Sequence, residues 1–143
     1  MKIEIEDIDR DDVVLVAGGR TLGFRGRFRS PAVSGSTIFV PSTGQEVSLI
    51  PGSQICVETG QESISDFKVV EQDQSPCVAE QSVPCDYTIV GTVVLNSDNQ
   101  LLYIEAAGFV FALDNNDSGG LMPEAGQRVS FRLHGLLLWD EHI

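Results

Sequence analysis

Hydrophobic and polar residues alternate with a period of two along most of this chain, and no window of helical length sustains a period near 3.6. Lys2-Ile3-Glu4-Ile5-Glu6 and Phe24-Arg25-Gly26-Arg27-Phe28 are the clearest cases. Successive side chains of a strand point to opposite faces, so this spacing predicts strands with one apolar and one polar side. Further runs predict strands at 13–17, 36–40, 46–50, 54–58 and 65–70, then at 88–95, 101–105, 109–113, 128–133 and 136–139. They are short, rich in Val, Ile and Phe, and bounded by Gly, Pro, Asn, Asp and Ser.

The expected fold is all-β, a β-sandwich or small Greek-key barrel(s), with two pseudo-repeated half-units of four to five strands. Glycines at 26, 44, 52 and 60 are echoed at 91, 108, 126 and 135, and "PGSQICVETG" reads like "EAGQRVSFRLHG". The polar segment "EQDQSPCVAEQSVPCD" (71–86) is twice interrupted by proline. It predicts a connection between sub-units 1–70 and 87–143 within one domain, 1–143.

Of the 143 residues, 42% are hydrophobic, enough to build a core. No run approaches the ~18 apolar residues of a membrane span, and the N-terminal stretch lacks the apolar region of a secretory signal. A cytoplasmic location is therefore expected. Cys56, Cys77 and Cys85 are odd in number and are expected as free thiols, although Cys77 and Cys85 are close enough in sequence to leave a bridge open.

Charge changes the picture most. The formal net charge is −12, yet residues 13–29 hold four arginines and no acid. A field of that overall sign repels nucleic acid and anionic membrane and attracts basic proteins. Arg20, Arg25, Arg27 and Arg29 form the cationic patch of the sequence. Either they bind an anion by bidentate guanidinium contacts, or they balance the protein's own carboxylates. Glu4 and Glu6 alternate on the first strand, and a strand 2–6 beside 24–29 would neutralise the patch internally, the favoured expectation.

Candidate chemistry is sparse. Cys77, Cys85, His134 and His142 lack the close pairs of a zinc site, and His134 reads as a strand-edge residue. No G-x-S-x-G elbow or phosphate-cradling glycine loop occurs, and Cys56 reads as a core residue. Asp114 with Asp117, and Asp140 with Glu141, read as solvated turn and terminus carboxylates rather than acid–base pairs. The chain is therefore expected to be no enzyme and to need no cofactor or metal. The hydrophobic C-terminal stretch reads first as a core strand; the alternative is an exposed edge strand whose Trp139, the only tryptophan, stands beside Asp140 and Glu141 and anchors a basic partner.

The expected function is an acidic protein-binding module, such as an inhibitor or immunity protein that neutralises a basic, nuclease-like toxin. Its partner-binding residues would be Trp139, Asp140, Glu141, Asp114 and Asp117. Two alternatives stay open. One is a small β-barrel that binds an oligonucleotide or other anion through Arg20, Arg25, Arg27 and Arg29. The other is an assembly module that forms homo-oligomers through an exposed edge strand.

Overall fold

Among the described residues the period-two alternation folds into nine strands, and no helix interrupts them. The computed structural model describes residues 1–16, 19, 21–42, 49–96 and 101–141. The strands are β1 (Lys2–Val16), β2 (Thr21–Arg29), β3 (Ser34–Val40), β4 (Gln54–Val69) and β5 (Cys77–Glu80). β6 (Tyr87–Asn96), β7 (Leu102–Ala106), β8 (Phe109–Leu113) and β9 (Arg128–Asp140) follow.

Three of them are longer than the sequence pattern predicts. The runs at 2–6 and 13–17 join into β1, those at 54–58 and 65–70 into β4, and those at 128–133 and 136–139 into β9. The expected strand 46–50 lies outside the described residues except for Leu49 and Ile50, which belong to no strand. Segment 71–86 does more than connect, because its residues Cys77–Glu80 form β5 and pair with β6.

The order β3-β2-β1-β4-β9 closes on itself where β3 pairs with β9 in parallel, Ile38 opposite Leu137 and Val40 opposite Trp139. The result is a five-stranded mixed barrel with β5, β6, β7 and β8 packed outside it. Closure removes the free edges that an open sheet would expose. β8 returns beside β4 without a backbone ladder. There Thr59 Oγ1 donates to the Val110 carbonyl (2.5 Å) and Gln61 Nε2 to the Ala112 carbonyl (3.1 Å).

The two halves share a turn. Ser53 N–H donates to Ile50 O, Gly52 N–H to Ile5 O, and Ile5 N–H to Ser53 O. Gln127 N–H to Glu124 O, Gly126 N–H to Val93 O, and Val93 N–H to Gln127 O repeat that set. Gly52 and Gly126 both hold positive φ, +86° and +94°. These turns make β1 the counterpart of β6, and β4 that of β9. The echo between Gly26 and Gly91 does not survive, since β2 and β6 are not counterparts.

One apolar cluster takes Ile3, Ile5, Phe28, Phe39, Val57, Leu136 and Leu138 from the barrel strands and runs on to Ile89, Phe109, Phe111 and Phe131. Phe28 meets Phe109 edge-on at 5.8 Å, which ties the barrel to β8. A smaller cluster holds Val16, Ile38, Val40, Cys85 and Leu137, with Val14 and Trp139 against it.

β9 serves both clusters by changing its buried face. Val129, Phe131 and Leu133 enter the main core from the odd positions, whereas Leu136 and Leu138 enter it from the even ones. The change falls at Gly135, whose φ is +69°. That left-handed backbone demands glycine, whereas a Cβ there would meet only the flexible end of the exposed Glu62 side chain. Bends of this kind let one strand belong to two packed layers.

Candidate functional site

Trp139 lies near the end of β9, on the face it shares with Leu137. It is half-buried and lines an open cleft of about 480 Å³ with Leu15, Val16, Gly19, Gly60, Gln61, Glu62 and Leu137. One wall is the end of the β1–β2 hairpin, where Val13, Leu15 and Leu22 stay 46%, 62% and 47% exposed. The other wall is β4 and β9, where Glu58 stands directly opposite Trp139. Glu58 and Glu62 are exposed, and among the described residues neither has a cation within ion-pair distance. The cleft is thus an apolar floor with a carboxylate rim.

The neighbouring acids take different positions. Asp140 is half-buried on the opposite face of the strand, paired in register with Val57. Glu141 is exposed, and its amide extends the ladder to the Cys56 carbonyl at 3.0 Å. Asp114 and Asp117 follow β8 and cap each other's backbone. The Asp114 amide donates to Asp117 Oδ2 (3.0 Å) and the Asp117 amide to Asp114 Oδ1 (2.8 Å). Partial burial, with the Asp114 charge beside it, pushes the Asp117 carboxyl above its ordinary range. The hydrogen bonds of both carboxylates therefore serve their own loop.

Each arginine of the stripe on β2 has a carboxylate partner. Arg29 Nε lies 3.3 Å from Glu6, Arg25 Nε 3.5 Å from Asp12, and Arg27 4.0 Å from Glu80. Glu4 is the register partner of Arg29, yet the ion pair goes to Glu6, where β1 slips register between Ile5 and Asp7. A second slip, between Ile8 and Val13, loops Asp9–Asp12 outward and carries Asp12 to Arg25. Arg20 lies outside the described residues.

His134 sits on an inner strand, one residue past the end of the β6 ladder at Leu133. β9 pairs with β4 on one side and β6 on the other, and His134 stands opposite Ser63. Its ring bridges two side chains from distant parts of the chain. Ser65 Oγ lies 2.7 Å from Nε2, and Asp86 Oδ2 lies 3.1 Å from Nδ1. The other oxygen of Asp86 accepts the Gly135 amide at 3.1 Å, so one carboxylate fixes both the imidazole and the bend of β9. These residues carry no linear motif; a reading by register would have needed β4 and β9 already paired.

The three cysteines are free, with Cys85 buried and Cys56 and Cys77 half-buried. No protein-family model, curated protein or solved structure matches the chain.

Proposed function

We propose that this chain is an acidic protein-binding module that docks a basic protein in the Trp139 cleft. The observation that carries the reading is the pairing of a half-buried tryptophan with the carboxylates of Glu58 and Glu62, which among the described residues have no cation within ion-pair distance, over a floor of Val16 and Leu137. An aromatic anchor in an apolar pocket supplies the burial energy of an interface, and a rim of one charge chooses the partner's sign. The net charge of −12 extends that preference over the whole surface and speeds encounter with a cation. A cationic toxin held by an inhibitor or immunity protein is the partner class that fits such a surface. The arginine stripe offers less to an anionic ligand, because its guanidinium groups already face carboxylates.

Trp139 is the only tryptophan, so its emission reports the cleft directly. Titration with an arginine-rich peptide at low salt is expected to shift that emission, with weaker binding at higher salt and no effect from polyglutamate. The double substitution Glu58→Gln/Glu62→Gln is expected to weaken binding about tenfold, or ~1.4 kcal/mol. An emission unchanged by the basic peptide, or an affinity unchanged in the double variant, would overturn the reading.

A further inference from the structure

We infer that Ser65, His134 and Asp86 form a nucleophilic relay that hydrolyses small esters, with Arg132 beside it as the group that stabilises the oxyanion. The proposal stands apart from the docking site, since the clefts beside His134 share no lining residue with the cleft of Trp139.

The geometry assigns the roles. Asp86 accepts from Nδ1–H at 3.1 Å, which leaves the Nε2 lone pair to face the Ser65 hydroxyl at 2.7 Å. Asp86 is itself held by the Gly135 amide, so the imidazole has a set tautomer and orientation. This is the nucleophile–base–orienter chain that activates a serine, recognised by geometry and not by sequence order. Ser65 and His134 would act on the substrate, and Asp86 is a positioning residue.

Space and charge are available next to the relay. A cleft of about 200 Å³ is lined by Val83, Asp86, Tyr87, Arg132 and His134, and another of about 390 Å³ by Phe67, Lys68, Thr88 and Arg132. Arg132 lines both and stands directly opposite Ser65 in the β4–β9 register. It is exposed and, among the described residues, forms no ion pair. Just after Ser65 the strand bulges. Asp66, at a φ of +55°, and Phe67 have no register partner on β9. A bulge next to a reactive side chain re-aims it and frees backbone amides from the ladder. A guanidinium and an unladdered amide beside the nucleophile are the donors that an oxyanion requires.

The reaction balances with water alone. Ser65 Oγ attacks the ester carbonyl carbon while its proton passes to His134 Nε2, and the carbonyl oxygen becomes an anion beside Arg132. The C–O bond to the leaving group breaks, and the imidazolium protonates the departing alkoxide to an alcohol. Water, giving a proton to His134, then attacks the acyl-serine. The carboxylic acid leaves and the Ser65 hydroxyl is restored.

A fluorophosphonate probe tests this on the intact protein, because attack by Ser65 displaces fluoride and leaves a stable phosphonyl ester. A single adduct is expected, mapped to Ser65 by tandem mass spectrometry, formed by the folded protein and not after denaturation in urea. His134→Gln and Asp86→Asn are expected to slow labelling by ~10²–10⁴-fold. Ser65→Ala, with folding checked by circular dichroism, is expected to lose both the adduct and p-nitrophenyl acetate hydrolysis. No adduct, an adduct on another residue, equal labelling of denatured chains, or wild-type hydrolysis by the alanine variant would each overturn the relay. A bridge that merely braced the strands would leave the serine unlabelled.

Discussion

Tyr87 on β6 donates its hydroxyl proton to the carbonyl of Ser36 on β3 across 2.8 Å, joining the barrel to the strands packed outside it. The ring is fully buried, and the hydroxyl sits where a Cβ on Gly35 would come within 2.1 Å of it. Tyr87→Phe leaves the Ser36 carbonyl without that partner and is expected to cost about 1–3 kcal/mol. Gly35→Ala is expected to cost at least as much, because the new methyl drives into a close-packed contact. In the double variant the hydroxyl is gone, so the combined loss should fall short of the sum. Urea unfolding of the four proteins measures that coupling, and strict additivity would refute the contact.

Alkaline pH should destabilise the fold. Burial pushes the Cys85 thiol up to about 11 from 9.0, with Glu80, Asp86 and Glu62 adding to the rise against Arg25. Burial, with the nearby Glu80 and Cys85 charges, also raises the Tyr87 phenol. The native state keeps protons that the unfolded chain releases, so stability is intact below pH 9.0 and falls as pH climbs toward 11. The loss from the thiol is on the order of 1–3 kcal/mol. Urea midpoints between pH 8 and 11 should decline, and Cys85→Val should flatten part of that slope. An unchanged slope would remove the thiol from the account.

Strand interiors were legible because alternation survives wherever one face meets the core, as in Phe24, Arg25, Arg27 and Phe28. Continuity was not legible. β9 reverses its buried face at Gly135, and β4 carries a polar Thr59–Ser63 stretch in which Thr59 and Gln61 bond to β8, so each looked like two strands. β5 is four residues on an outer strand and has too few positions to show a period. For the sites, composition and the C-terminal tryptophan pointed to the cleft, but Leu15 and Glu62 reach it only through tertiary pairing. The Ser65–His134–Asp86 bridge spans separations of 69 and 48 residues, distances over which no spacing rule operates.

The arginine stripe offers a test that separates charge from packing. Arg25, Arg27 and Arg29 have side chains 44%, 49% and 63% exposed, so each ion pair is solvent-screened and contributes ~0–1 kcal/mol. Replacing all three with Gln also removes three positive charges and takes the formal net charge from −12 to −15. Lost attraction and added self-repulsion act in the same direction, so at low salt the melting temperature should fall. At about 0.5 M salt the pairs in the parent are screened and the repulsion in the variant is screened too, so the gap should narrow. If the gap held constant with salt, the loss would come from the apolar stems of the arginines packing on β2, and their carboxylate partners would matter little.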